Sequence, residues 1–225
     1  MKKLIGFLCG ILLGFGAMAQ TDGIPQDFGY ISDSLPLLVL EIRYAGSHNF
    51  TGKPVNGYET PQGILSKPAL IQLKKAYQYF LKKGYIFKFF DAYRPQTAVN
   101  HFRTWARDPS DTLMKKEFYP KLQKKDLFKL GYISTQSGHS RGSTLDLTLI
   151  DLKTGAELDM GSPYDFFGTI SHHNTQKITE AQKQNRLLLK QGMRKFGFIA
   201  YPKEWWHYTL YNEPFRNTYF DFPIR

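Results

Sequence analysis

Apolar and polar residues alternate along positions 143–150, without a break over 144–149. Leu145, Leu147 and Leu149 fall on one face of an extended chain, and Thr144, Asp146 and Thr148 on the other. This predicts a strand with one face on a core and one polar face. Earlier in the chain, Leu70, Leu73, Tyr77, Phe80 and Leu81 recur at helical spacing. Ser66 stands as N-cap before Lys67-Pro68, and Gly84 stops the pattern. Residues 85–90 are a buried strand candidate that enters Asp91-Ala92-Tyr93-Arg94-Pro95, where proline forbids a continued ladder. Residues 96–107 fit a second helix, and 112–130 a weaker, Lys-rich helical stretch. A third helix spans 179–196, with Leu187, Leu188, Met193 and Phe196 inward and Gly197 as its stop. Residues 37–44 and 205–210 have strand composition. A return strand is expected through Glu157-Leu158, after the turn at Lys153-Thr154-Gly155. Residues 20–36 read as an extended arm, and 49–58 and 161–173 as loops. No repeat or linker interrupts this order. The pattern predicts a single α+β domain: a mostly antiparallel sheet with helices packed on one face.

The first 19 residues stand apart. Met1-Lys2-Lys3, an apolar run over 4–15 and Ala17-Met18-Ala19 form a cleavable export signal. The run is shorter than the roughly 20 residues a spanning helix needs. Cys9 sits in mid-run after Leu8, which argues against a lipoprotein site. Residues 20–225 are then the mature domain, with no stable membrane insertion and a periplasmic or secreted location. Cys9 is the one cysteine, so the mature chain can form no disulfide and any metal is held by His, Asp or Glu. Loss of Lys2 and Lys3 leaves 28 basic against 19 acidic side chains. The lysines are scattered over helix faces without a basic-aromatic ladder, so the charge reads as solubility rather than nucleic-acid binding.

Two stretches carry candidate chemistry. Ser137-Gly138-His139-Ser140-Arg141-Gly142 leads into the strand bearing Asp146, and Glu204-Trp205-Trp206-His207 lies far downstream. Together they offer His139, Asp146 and His207 as metal ligands and Glu204 as a nearby base. This is the donor set of a hydrolytic zinc site with an open position. Residues three apart on a strand face opposite ways. Glu204 and His207 therefore converge only if the chain bends there or if Glu204 precedes the strand. Trp205 and Trp206 are either core residues or a wall of the site. Arg94 could stabilise an oxyanion, clamp a carboxylate, or simply pair with Asp91. His172-His173 belongs to neither motif and is left out of the site.

These motifs, with Tyr44 and Asn49-Phe50-Thr51-Gly52, resemble the zinc D-alanyl-D-alanine dipeptidases. That family includes the vancomycin-resistance dipeptidases and is related to peptidoglycan D,D-carboxypeptidases and endolysin peptidases. The resemblance runs from about residue 37 to 210. It implies one zinc ion per chain on His139, Asp146 and His207, with Glu204 as catalytic base and Arg94 stabilising the tetrahedral intermediate. It also implies that Tyr44 and Asp165 lie near the substrate's free ammonium and Ser137 near its carboxylate. The expected substrate is the dipeptide D-Ala-D-Ala. An ammonium anchor at Asp165 would act as a ruler favouring a dipeptide over a longer chain. The resistance enzymes act in the cytoplasm, whereas the export signal here points to dipeptide released from the cell wall. Two other readings share the motifs: a zinc carboxypeptidase or endopeptidase on stem peptides, and a wall-binding module without catalysis.

Overall fold

The computed structural model describes residues 23–225; the expected export signal over residues 1–19 lies outside them. The elements in chain order are β1 (Phe28–Tyr30), β2 (Leu38–Leu40), β3 (Ile64–Ser66), α1 (Lys67–Leu81), β4 (Tyr85–Asp91) and α2 (Gln96–Arg107). Two single-turn helices follow, α3 (Lys115–Phe118) and α4 (Leu127–Leu130). The rest are β5 (Thr144–Asp151), α5 (Glu180–Lys195), β6 (Phe198–Ala200) and β7 (His207–Leu210). The main sheet has the order β2-β4-β5-β7-β6, and β1 pairs with β3 in a separate ribbon. Only β2 and β4 run parallel; the other pairs of the main sheet are antiparallel. The fold is thus the expected α+β arrangement.

The leucine stripe of β5 explains the helical layer. Phe87 and Phe89 of β4 lie opposite Leu149 and Leu147, so five large apolar side chains share one face. All five are fully buried, each contributing about 1.5–3 kcal/mol through burial. α1 covers this face: Tyr77 and Phe80 meet the Phe87 ring edge-on, at 5.7 and 5.3 Å between centroids. α5 packs beside α1, so close that a Cβ on Gly192 would lie 2.2 Å from the Phe80 ring. α5 opens with a reciprocal cap between Thr179 and Gln182.

The opposite face is no open polar surface. Thr144, Asp146 and Thr148 are as buried as the leucines. Across this face Asp146 stands opposite both His207 of β7 and Asp91 of β4. A register shift between Phe89 and Asp91 breaks the alternation of β4. It turns Asp91 to the same side as Asp146, as bulges do when they re-aim a side chain.

Several expectations are corrected. The strand expected over 37–44 is only Leu38–Leu40; the chain then turns into a 3-10 helix, Arg43–Ala45, that buries Tyr44. The weak helix over 112–130 breaks into two single turns around Pro120. In that stretch Lys124 points inward, donating to the Trp105 and Asp108 carbonyls at the end of α2. The return at Glu157 is an isolated bridge to Ile150 rather than a strand. In α5 the deepest residues are Leu189, Met193 and Arg186, while Leu187, Leu188 and Phe196 are half-buried. The Arg186 guanidinium takes the inward position because three carbonyls, of Met160, His172 and Ile170, accept from it. The strand expected over 205–210 begins only at His207, and β6, unforeseen, lies beside it.

Candidate active site

Three local structures bring the candidate residues together. The first is the pairing of β5 with β7, which sets Asp146 and His207 side by side. The second is a 3-10 turn, Gly138–Arg141, that presents His139. Ser137 caps it by accepting from the His139 backbone N–H, and Gly142 ends it in a left-handed conformation (φ 79°). The Phe28 ring occupies the place a Gly142 side chain would need, 2.2 Å from an added Cβ. The third is a turn in which Glu204 donates to the Tyr201 carbonyl and His207 donates to the Glu204 carbonyl. This turn resolves the spacing question, because Glu204 precedes the strand. Its Oε2 lies 3.4 Å from His207 Nδ1.

His139 Nε2, His207 Nδ1 and Asp146 Oδ1 form a nearly equilateral triangle with sides of 3.3, 3.3 and 3.2 Å. An ion with tetrahedral bonds of about 2.0–2.1 Å keeps its ligand atoms about 3.3 Å apart. The donor chemistry fits as well. The Ala92 carbonyl lies 2.6 Å from His139 Nδ1 and can only accept, so Nδ1 carries the proton. In the neutral ring, Nε2 then turns a lone pair toward Asp146. Asp146 Oδ1 is buried and accepts no hydrogen bond among the described residues. Two acceptors facing each other in a buried place are satisfied by a cation. Burial opposes charge on Asp146, but His139 and His207 outweigh it and hold its pKa below the carboxylate range. Burial also opposes charge on His207, and Asp146 and Glu204 reverse that, so its pKa is raised.

A cavity of about 230 Å³ opens over the triangle. Tyr44, Arg94, Ser137, His139, Asp146, Asp165, Glu204 and His207 all line it, so the eight candidate ligand, catalytic and substrate residues meet there. Its apolar walls are Phe50, Phe102, Tyr132 and Phe167. It falls below the roughly 300–1,000 Å³ of pockets for drug-sized ligands and suits a small molecule. Glu204 is one-fifth exposed at its rim. Burial raises the Glu204 pKa, with Asp146 adding to this and His207 opposing it.

Arg94 makes the structural pair left open by the sequence: Nε and Nη2 grip Asp91 Oδ2 at 2.9 and 2.7 Å. It also lies against the Tyr44 and Phe102 rings, at 5.0 and 5.2 Å, and faces the cavity. Burial works against the guanidinium charge, yet Asp91 and neighbouring tyrosines raise its pKa further. On the far wall, Tyr44 donates to Asp165 Oδ2 at 2.7 Å. Asp165 is buried, adopts a positive φ of 59°, and has its carboxyl pushed well up by burial despite the Tyr44 hydrogen bond.

Trp205 and Trp206 are buried core residues and do not line the cavity. Neither do His172 and His173; burial drives the His173 imidazole down to about 3. Sequence reasoning missed three supporting groups. Tyr58 donates to Asp91 Oδ1 at 2.7 Å, the Ala92 carbonyl orients His139, and Tyr164 donates to Asp146 Oδ2 at 3.1 Å. Tyr164 adjoins Asp165 and was within reach of a motif-based reading; no local signal marks Tyr58.

Known proteins resemble this chain along most of its length. Residues 29–225 match the family described as D-ala-D-ala dipeptidase. A D-alanyl-D-alanine dipeptidase of Enterococcus faecalis is 42% identical over 197 residues, 88% of this chain and 98% of that protein. One of Streptomyces coelicolor is 40% identical over 198 residues, with the same coverage. One of Escherichia coli is 33% identical over 175 residues, 78% of this chain and 80% of that protein. The chain belongs to the D-ala-D-ala dipeptidase family.

Proposed function

We propose that this protein is an exported zinc dipeptidase that hydrolyses D-Ala-D-Ala to D-alanine. The observation that carries the reading is the pairing, within one 230 Å³ cavity, of an ion-sized His139–Asp146–His207 triangle with the buried Asp165–Tyr44 pair. The names of the similar proteins supply the substrate.

Zinc bound by the triangle would polarise the scissile carbonyl and bring a water's pKa to about 7. Glu204, beside His207, takes the proton of the attacking water and passes it to the leaving amine. Its raised pKa suits both halves of that transfer. Arg94, already fixed by Asp91, offers its charge to the carbonyl oxygen as negative charge develops there. Asp165 and Tyr44 receive the substrate's ammonium. A buried carboxyl without a cationic partner is costly to ionise, so this end favours a free amine over a chain-internal amide. Ser137 stands at the cavity wall with its hydroxyl oxygen committed to the His139 N–H, and its own O–H is available to a substrate carboxylate.

The export signal supports a role outside the cytoplasm, on dipeptide released from the cell wall, rather than interception of cytoplasmic precursors. The test is D-alanine release by the purified mature protein. Release should cease after dialysis against a chelator and return with zinc. Release unaffected by complete metal removal would sink the reading.

A further inference from the structure

Tyr164 is the buried link between the two ends of the cavity. Its ring is clamped, stacked on Phe90 at 4.5 Å and 17° and met edge-on by Trp206 at 5.3 Å. Its hydroxyl lies 3.1 Å from Asp146 Oδ2 and 3.2 Å from the Tyr44 hydroxyl, which in turn lies 2.7 Å from Asp165 Oδ2. Four oxygens therefore stand in a row from the metal ligand to the amine-binding carboxyl. Tyr164 supplies the one hydrogen bond recorded to the Asp146 carboxylate among the described residues, and Arg94 Nη2 remains 3.8 Å away.

We propose that Tyr164 is a positioning residue that ties the metal-ligating Asp146 to the Tyr44–Asp165 pair, so that one hydroxyl governs both metal retention and recognition of the free amine. The inference rests on the zinc dipeptidase reading above. Holding Oδ2 leaves Oδ1 as the atom turned into the ligand triangle, and partners of this kind typically change metal affinity about 10–100-fold when removed. Contact with Tyr44 sets how far the amine-binding pair stands from the triangle. The row has three contacts but only two phenolic protons. A proton on Asp165 completes it, whereas an incoming ammonium that pairs with the ionised carboxylate leaves the Tyr164–Tyr44 contact without a proton, so the amine end responds to what binds there.

The decisive variant is Tyr164→Phe, which keeps the ring between Phe90 and Trp206 and removes only the hydroxyl. Apo wild type, Tyr164→Phe and Tyr44→Phe would be titrated with zinc against a competing chromogenic chelator. Steady-state kinetics on D-Ala-D-Ala would follow. Tyr164→Phe is expected to lose about 10-fold in zinc affinity and to show a raised KM even at saturating zinc. Tyr44→Phe is expected to raise KM alone and leave zinc affinity as in wild type. A Tyr164→Phe protein matching wild type in zinc affinity and KM overturns the inference, because a merely structural ring would behave so. A wild type that neither binds zinc nor releases D-alanine overturns the underlying reading as well.

Discussion

Asp146 divides its two oxygens between two tasks. Oδ2 accepts from Tyr164, while Oδ1 faces the ring nitrogens of both histidines at 3.2–3.3 Å. Glu204, one residue type among many on the surface by sequence, becomes distinct only through its 3.4 Å approach to His207 and its raised pKa. Glu204→Gln should lower kcat about 10²–10⁴-fold with zinc content unchanged, measured by steady-state kinetics beside metal analysis. Asp165 makes a second prediction at this scale. Its carboxyl is held well above its unfolded pKa by burial, so the folded protein binds a proton there that the unfolded chain releases. Stability from this group is full below the unfolded value and falls as pH rises toward the folded one. Asp165→Asn removes that dependence. Thermal denaturation should find the variant increasingly more stable than wild type as pH rises from about 4, the ordinary aspartate value, toward 8. The same substitution should cost about 2 kcal/mol or more in kcat/KM for the dipeptide, since one partner of a buried charge pair is gone. In wild type, KM for the dipeptide should fall as rising pH ionises Asp165.

Elements place these residues through a few backbone choices. Gly142 ends the His139 turn at positive φ against the Phe28 ring. Gly142→Ala meets both a left-handed backbone and the ring. It should lose about 1–2 kcal/mol from the backbone alone and displace His139, read as a lower denaturation midpoint with weaker zinc binding. Element scale also shows what was legible in the chain. The β5 alternation and the spacing of α1 are strong local periodicities, and they predict those elements nearly residue for residue, as the helix expected over 96–107 matches α2. The three-residue strands β1, β3 and β6 hold too few residues for any period to register. Arg186 rotated the buried face of α5 toward itself and Leu189, with Met193 inward as expected, because three loop carbonyls some 14 to 26 residues upstream accept its guanidinium. The eight candidate side chains that line the cavity were reached through the motifs around His139, Asp146, Glu204, His207 and Arg94 and, for Tyr44, Asp165 and Ser137, through the family resemblance. Tyr58 and the Ala92 carbonyl act across 33 and 47 residues and leave no local mark.

At the scale of the molecule, the sheet separates two labours. Its leucine face, covered by α1 and α5, supplies burial; its other face buries the carboxylates and histidines of the candidate metal site. The C-terminal segment closes the latter side: Phe220 and Phe222 pack on Phe28 at 4.9 and 5.0 Å, and Phe222 stacks on Tyr93 at 4.1 Å. Phe28 in turn backs Gly142, so the end of the chain supports the His139 turn. A cation that binds only the folded state stabilises it by mass action, about 2.7 kcal/mol at 100 times its dissociation constant. Calorimetry should therefore show the zinc-loaded protein melting above the metal-free protein, with the gap widening as zinc is added.

The claim at the centre of this account is that a metal-centred cavity measures its substrate from a free amine. The most direct measurement is kcat/KM for D-Ala-D-Ala beside N-acetyl-D-Ala-D-Ala, on zinc-loaded wild type and Asp165→Asn. The account predicts cleavage of the free dipeptide, strong discrimination against the acetylated form, and loss of most of that discrimination in Asp165→Asn. Comparable cleavage of both substrates by wild type would contradict it and favour a carboxypeptidase acting on longer peptides.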